Sequence, residues 1–180
     1  CSKPCPVHII DLRLNEEGFY EPYLTEPDKC IHCGLCRDVC AYVKDELAQT
    51  NTPVVSYAAW SNDKHVQKKC SSGGVGFEIA KYLLDKGYKT IGVRYNAEKE
   101  RAEHFIASTL EELVQTTGSK YIQSYPVDGW KGINRKGKYL VTGTPCQIDS
   151  FRNYMKRMKL PEENFILMDF FCHGVPSMLA

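Results

Sequence analysis

The segment Cys30-Ile-His-Cys33-Gly-Leu-Cys36-Arg-Asp-Val-Cys40 places four cysteines in the spacing C-x2-C-x2-C-x3-C. Gly34 allows the backbone to curl between the first three thiolates, so that each can reach a different iron of one 4Fe–4S cube. The fourth cysteine falls at the start of a following helix and is directed away from the other three. The spacing therefore predicts that Cys40 serves a second cluster and that the first cluster needs a ligand from elsewhere.

The missing ligand is predicted from the amino-terminal segment. Cys1-Ser-Lys-Pro-Cys5-Pro6 matches the second half of a first run of the same kind, and two such runs form the pattern of a bacterial two-cluster ferredoxin. In that pattern one complete cluster takes four thiolates, those of Cys5, Cys30, Cys33 and Cys36. Cys1 and Cys40 supply two ligands to the other cluster, whose remaining ligands we expect upstream of a chain that we interpret as a fragment.

A structural zinc site is the alternative, because four thiolates also satisfy tetrahedral zinc. Zinc knuckles usually separate two C-x2-C pairs by a longer loop, whereas three of these cysteines come at successive three-residue steps. The chain of 180 residues has nine cysteines, and an odd number with one tight cluster fits a disulfide framework poorly. We therefore expect an iron–sulfur protein in the cytoplasm.

The overall composition excludes several other classes of protein. Lys plus Arg number 23 and Asp plus Glu 22, which gives a formal charge of +1 and removes the electrostatic argument for a nucleic-acid partner. No apolar run approaches the roughly 20 residues that a transmembrane helix needs. Hydrophobic residues make up 43% of the chain, which is enough for a packed core.

Helix and strand patterns alternate after residue 71. Apolar residues at helical spacing (Val75, Ile79, Tyr82 and Leu83) predict a helix over 74–86, and a capping-box pattern at Thr109 opens another. The further predicted elements are strands at 89–95, 103–108, 139–142 and 165–171 and a helix at 146–158. The fold class is α+β: a two-cluster ferredoxin-like module (1–48), a linker (49–70) and an incomplete α/β domain with a mixed sheet (71–180).

Three short motifs lie where this second region would bind a ligand. The sequence SSGG (71–74) precedes a helix, whose N–H groups suit a phosphate, although for SSGG taken alone a flexible turn that caps a helix is the favoured explanation. The sequence GSKY (118–121) fits a turn. The sequence TGTPCQ (142–147) follows a strand and opens a helix, which is a position where α/β sheets bind ligands.

In this order, and followed by CHGVPS (172–177), these motifs resemble the coenzyme F420 hydrogenase/dehydrogenase beta-subunit family. The resemblance covers the ferredoxin part to about residue 48 and a flavin domain from about residue 56. It implies an oxidoreductase that passes electrons between 4Fe–4S clusters and FAD, coupled to a deazaflavin coenzyme or another organic substrate. It also implies a redox partner protein or subunit and a small-molecule hydride donor or acceptor.

The resemblance also assigns site residues. The residues of the flavin pocket are Ser72, Gly73, Gly74, Ser119, Lys120 and Tyr121, with Thr144 and Pro145 beside them. Cys146 and Cys172 match cysteines that help to hold a cluster in the flavin domain, and buried structural thiols are the alternative. Lys120 is expected either to stabilise a reduced flavin or to form a surface salt bridge. No catalytic acid or base is implied, and His104 has no assigned role.

Two functions from other classes remain as alternatives. The first is a ferredoxin-type electron carrier whose α/β region is a non-catalytic docking domain, and release of flavin on denaturation distinguishes it from the flavoprotein. The second is a zinc-stabilised interaction domain, which metal analysis distinguishes from both.

Overall fold

The computed structural model describes residues 2–43 and 55–179, which form two β-sheets and helices on both faces of the larger one. The smaller sheet is an antiparallel hairpin of β1 (Ile10–Leu14) and β2 (Tyr20–Leu24). The strands of the larger sheet are β3 (Lys89–Asn96), β4 (Arg101–Ala107), β5 (Tyr139–Gly143) and β6 (Phe165–Asp169). Their spatial order is β4-β3-β5-β6, with β4 antiparallel to β3 and the other neighbours parallel. The predicted α+β class with a mixed sheet is thus confirmed.

The helices are α1 (Leu35–Asp38), α2 (Lys64–Lys69), α3 (Val75–Asp85), α4 (Leu110–Val114), α5 (Val127–Lys131) and α6 (Pro145–Met158). None of the helices in the described ranges is long and apolar enough to cross a membrane. The capping box predicted at Thr109 is present, since Thr109 and Glu112 exchange side-chain and backbone hydrogen bonds at the start of α4.

Successive side chains on β5 point to opposite faces of the sheet, and each face has its own layer of apolar core. Leu140 packs with Ala80 and Leu83 of α3 on one face of the sheet. Tyr139 and Val141 face the other side, where the apolar residues of α6 cover them. Since a strand turns successive side chains to opposite faces, a continuous apolar run on β5 is what a strand covered on both sides requires.

The structure corrects three details of the sequence-based prediction. The apolar stripe predicted for α3 is correct at Leu83, which is buried beside Ala80, and wrong at Val75, Ile79 and Tyr82, which are exposed. The strand predicted over 165–171 ends at Asp169, whose partner Gly143 is the last residue of β5. The chain then leaves the sheet, and Phe171 is 98% exposed. Within the predicted linker, residues 64–69 form α2.

The amino-terminal region shares its core with the α/β region. Val39, which follows α1, is 2% exposed and belongs to the same apolar cluster as Ile148 and Phe151 of α6. The Ala41 N–H donates to the Ser150 hydroxyl of α6 at 3.1 Å. The cysteine-rich segment is therefore fixed directly to α6.

Candidate functional site

Two of the predicted motifs begin helices at the same edge of the large sheet. The start of α3 lies near the carboxyl end of β6, since a Cβ on Gly76 would lie 3.5 Å from Met168 Cε, and α6 begins directly after β5 ends at Gly143. Because β5 and β6 are parallel, SSGG and TGTPCQ lie at the carboxyl edge of the sheet, where α/β folds bind ligands. This is the candidate functional site.

The SSGG loop needs both of its glycines. Gly74 has a φ of 80°, a conformation that favours glycine, and it is the N-cap of α3. A Cβ on Gly73 would lie 2.7 Å from the Ala59 carbonyl oxygen, so another residue would have to displace the backbone there. Gly74 has no side chain to cap α3, and the first-turn N–H groups are left for another acceptor. The exposed Ser72 hydroxyl lies in the same loop.

The GSKY turn contacts the SSGG loop. The Ser119 N–H donates to the Ser71 hydroxyl at 2.7 Å, which joins positions 48 residues apart in sequence. Gly118 has a φ of 76° and turns the chain out of α4. Two predicted pieces of the flavin pocket are therefore neighbours, and Tyr121 beside them is 75% exposed.

The Lys120 ammonium contacts the backbone at the end of α4, and its role beside a reduced flavin stays a prediction. Its Nζ donates to the carbonyl oxygens of Gln115, Thr116 and Thr117 at 3.3, 3.1 and 2.8 Å, just beyond the end of α4. Burial lowers the pKa of Lys120. The ammonium group thus stabilises the carboxyl end of a helix, where backbone carbonyls attract a cation.

Thr144 and Pro145 form the start of α6. The Thr144 N–H donates to Gln147 Oε1 at 3.0 Å, and the Thr144 hydroxyl lies 3.2 Å from Cys146 Sγ. Pro145 occupies the first turn, where its missing N–H costs no helical hydrogen bond. The pattern Thr-x-x-Gln in TGTPCQ is a capping signature that the sequence analysis did not use.

The cysteine-rich loop has the backbone expected at its glycine. Gly34 has a φ of 75° and lies in open space immediately before α1, and Cys33 beside it is exposed. Every cysteine in the described part of the chain is a free thiol. Cys1 lies outside the described residues. The predicted role of Gly34 in curling this loop agrees with its left-handed conformation.

The thiols are nevertheless not gathered at bonding positions. Across residues 2–43 and 55–179, no three His, Cys, Asp or Glu side chains come close enough to hold one metal ion. Cys5 is buried, whereas Cys30 and Cys36 are partly exposed. Ligation of clusters by Cys5, Cys30, Cys33 and Cys36 therefore remains a prediction from their spacing.

Tyr42 marks where the cysteine-rich segment meets the start of α6. A hydrogen bond with Cys146 raises the pKa of Tyr42, and burial and the charges of Cys40 and Cys172 raise it further. The pKa of the Tyr42 hydroxyl is thus raised by three predicted cluster ligands, Cys40, Cys146 and Cys172. The resemblance predicted that Cys146 and Cys172 lie together, whereas the proximity of Cys40 to them was not predicted.

Residues 123–125 follow the GSKY turn, and Ser124 ends the motif GSKY-x2-S, but the sequence analysis assigned none of them a role. Gln123 Oε1 accepts from the Tyr20 N–H at 2.5 Å and its Nε2 donates to the Tyr20 carbonyl at 3.1 Å. The Tyr125 hydroxyl donates to Asp11 at 2.5 Å. Ser124, between them, bonds instead with His104 and Gln147. The segment therefore joins the amino-terminal hairpin to the candidate site.

Comparison with known proteins gives matches in both halves of the α/β region. Residues 56–129 match the family model for the N-terminal part of the coenzyme F420 hydrogenase/dehydrogenase beta subunit. Residues 136–180 match the family model for the C terminus of the same subunit. Together these ranges include all three motifs of the candidate site.

Individual relatives agree with these matches. The chain is 29% identical over 104 residues to the coenzyme F420 hydrogenase subunit beta of Methanosarcina barkeri (strain Fusaro / DSM 804), which is 55% of this chain and 36% of the relative. A chain in the xenon-derivatised F420-reducing NiFe hydrogenase complex from Methanosarcina barkeri has a similar fold, with a TM-score of 0.59 and 24% identity. That similarity covers 67% of this chain and 44% of the solved one. The aligned part thus spans less than half the length of either relative.

Proposed function

Because this chain belongs to the coenzyme F420 hydrogenase/dehydrogenase beta-subunit family, we propose that it is an oxidoreductase that passes electrons between 4Fe–4S clusters and FAD. The observation that carries the proposal is the hydrogen bond between Ser71 and Ser119, which brings the SSGG loop and the GSKY turn together. These motifs are distant in sequence, and their contact beside a helix N-terminus is expected if they serve one ligand.

The described residues have the chemistry that FAD requires. The first-turn N–H groups of α3 and the Ser72 hydroxyl offer donors to a phosphate group, and Gly73 and Gly74 allow the backbone to approach it. Ser119, Tyr121, Thr144 and Pro145 complete the proposed pocket. Lys120 contributes by holding the GSKY turn against the end of α4. FAD, when bound, would exchange electrons singly or in pairs.

The cluster ligands near the amino terminus are proposed from their spacing, and Cys146 and Cys172 are proposed from the family resemblance; the described thiols are all free. They form two sets: Cys1, Cys5, Cys30, Cys33, Cys36 and Cys40 in the ferredoxin-like region, and Cys146 and Cys172 in the flavin domain. Free thiols at this density agree with a reducing compartment, and we place the protein in the cytoplasm. The organic substrate is a deazaflavin coenzyme or another hydride donor or acceptor, and a redox partner protein or subunit is expected to exchange the electrons.

Anaerobic production of the full chain, with iron and sulfide supplied, tests this function. We expect bound flavin that is released on denaturation, together with acid-labile sulfide and iron. Colourless protein that contains only zinc would refute the proposal. Protein with iron and sulfide but without flavin would refute the flavoprotein and support a plain electron carrier.

A charge substitution in the SSGG loop tests the location of the pocket. Ser72→Glu places a carboxylate beside the proposed phosphate site, and we expect FAD to bind on the order of tenfold more weakly. Lys136→Gln is the control, because it lowers the net charge by the same amount in the exposed loop before β5, at the opposite edge of the sheet. Equal FAD affinity in the two variants would show that the flavin lies elsewhere.

A further inference from the structure

The side chain of Ser124 lies between the candidate site and the core. Its hydroxyl oxygen accepts a hydrogen bond from Gln147 Nε2 at 3.1 Å and lies 2.9 Å from His104 Nε2. The orientation of the Gln147 amide is fixed at its other end, because Oε1 accepts from the Thr144 N–H. The Ser124 hydroxyl donates to His104 Nε2 in one imidazole tautomer and accepts from it in the other, and either hydrogen bond orients Ser124.

The Gln147 side chain has room for this position only because its neighbour is glycine. A Cβ on Gly143 would lie 2.9 Å from Gln147 Oε1 and 3.2 Å from Gln147 Cβ. The amide therefore lies directly against the last residue of β5 while it caps α6. The side chain joins the end of the strand, the start of the helix and the segment that carries Ser124.

His104 is held rigidly at the inner end of this network. Its side chain is 1% exposed, and the Trp130 ring packs against it edge to face with the centroids 6.2 Å apart. Its backbone N–H donates to the Tyr125 carbonyl at 2.9 Å. A Cβ on Gly129 would lie 2.6 Å from the His104 carbonyl carbon, so α5 packs directly on this residue. Burial lowers the pKa of His104 to about 4, and the ring is neutral at neutral pH.

We propose that His104 and Ser124 are positioning residues that hold the Gln147 amide in place and thereby fix the Thr144–Cys146 turn at the candidate site. The buried imidazole orients the Ser124 hydroxyl, that hydroxyl orients Gln147, and Gln147 restrains the Thr144 N–H. Each step is a hydrogen bond between side chains or from a side chain to the backbone. The consequence for flavin binding rests on the proposed function, whereas the consequence for the turn does not.

Amide hydrogen exchange in the full chain without flavin tests the positioning directly. Ser124→Ala removes the group that orients Gln147, and we expect the Thr144 amide to exchange on the order of five- to tenfold faster. Ser124→Thr keeps the hydroxyl and should retain slow exchange. The amides of β5 exchange through global unfolding and serve as the reference. After correction for the free energy of unfolding of each variant, their exchange rates should be the same in Ser124→Ala and Ser124→Thr.

Two further substitutions separate positioning from general damage to the core. Thr90→Val also removes a buried hydroxyl, one with no hydrogen-bond partner in the described part of the chain, and should leave the Thr144 amide unchanged. His104→Gln preserves a polar group near Ser124 and should protect Thr144 better than His104→Phe. If His104→Phe does not fold, the Ser124 pair decides the question alone.

Flavin affinity is measured on the same variants. We expect Ser124→Ala to weaken FAD binding several-fold relative to Ser124→Thr and Thr90→Val, because the turn beside the flavin is no longer restrained. If the wild-type chain binds no flavin but exchange at Thr144 follows the expected pattern, the positioning is correct and the proposed function is wrong. If exchange at Thr144 is the same in Ser124→Ala, Ser124→Thr and Thr90→Val, the positioning proposal is overturned, whatever binds at the site.

Discussion

Glu103 is a buried carboxylate, 3% exposed, and it is stabilised in its charged form by the side chains around it. Arg94 and Asn96 donate to one oxygen at 3.0 and 2.9 Å, and Arg101 donates to the other at 3.3 Å. Burial by itself would raise the pKa of Glu103. The hydrogen bonds from Asn96, Arg94 and Arg101 outweigh burial and lower the pKa to about 2.

This network predicts an acid-dependent loss of stability. The pKa falls from the ordinary value of 4.5 to about 2 on folding, so ionised Glu103 stabilises the protein fully above pH 4.5 and loses that contribution as the pH falls towards 2. The lowered pKa corresponds to about 3 kcal/mol of unfolding free energy at neutral pH. We expect a smaller measured value, because Arg94 is partly exposed and solvent screens its charge. Urea unfolding should show Glu103→Gln much less stable than wild type at pH 7, with the difference reduced to less than half at pH 3 and nearly lost at pH 2.

The control for this prediction is a second carboxylate that pairs with Arg101. Asp128→Asn changes an exposed carboxylate that also pairs with Arg101, and it should cost less than about 1 kcal/mol. If Glu103→Gln had a pH profile parallel to that of the wild type, the pKa of Glu103 would not be lowered by these contacts.

The local sequence pattern predicted those parts of the candidate site that need a particular backbone conformation or a close backbone contact. Glycines before a helix and at a strand end have a physical reason that is visible in sequence, and Gly74 and Gly143 lie where the pattern placed them. The contact of Ser71 with Ser119 and the chain from His104 to Gln147 depend on strand order and packing. A buried histidine surrounded by unremarkable residues carries no local signal for such a role.

At the level of secondary structure, elements with apolar periodicity were predicted well and those without it were missed. Helices α3 and α6 and strands β3 and β5 are close to their predicted ranges. Helix α2 has the sequence KHVQKK, with a single apolar residue, and is capped by Asp63, whose side chain accepts from the His65 N–H. Helix α5 contains Gly129, which is unfavourable in a helix unless another backbone lies against it.

The packing of α5 on β4 predicts opposite effects for two glycine substitutions in helices. Gly129→Ala would place a Cβ 2.6 Å from the carbonyl carbon and oxygen of His104, and we expect a loss of about 2–3 kcal/mol because backbone must move. Gly76→Ala in α3 meets only Met168 Cε at 3.5 Å, and the better helix propensity of alanine should offset any loss. Urea unfolding of both variants at pH 7 provides the measurement.

The Gly129→Ala variant tests the contact of α5 with the His104 backbone, and the Gly76→Ala variant tests the space around the start of α3. A Gly129→Ala variant as stable as wild type would mean that α5 does not lie on the His104 backbone. A strongly destabilised Gly76→Ala variant would mean that the start of α3 is more crowded than the 3.5 Å contact indicates.

Considered as a whole molecule, the chain combines the cysteine-rich region and the α/β region through contacts at several separate places. Lys3 Nζ donates to the Lys131 carbonyl at 2.7 Å, beside α5. Gln123 bonds both backbone groups of Tyr20 on β2, in the manner of a neighbouring strand. Val39 enters the core beneath α6. These contacts were not predictable from a sequence that divides into a cysteine-rich part and an α/β part by composition.

A shared core predicts that both regions unfold together. Val39→Ala removes two methyl groups from a side chain that is 2% exposed, and we expect a loss of about 2 kcal/mol. Val43→Ala, in the same segment but at a side chain that is 48% exposed, should change stability by less than about 0.5 kcal/mol. Amide exchange of β1 and β2 and of β5 should accelerate together in Val39→Ala, since one cooperative unit loses stability. Faster exchange confined to β1 and β2 would show instead that the cysteine-rich region opens independently, and the contacts of Val39 with α6 would then contribute nothing to the stability of the α/β region.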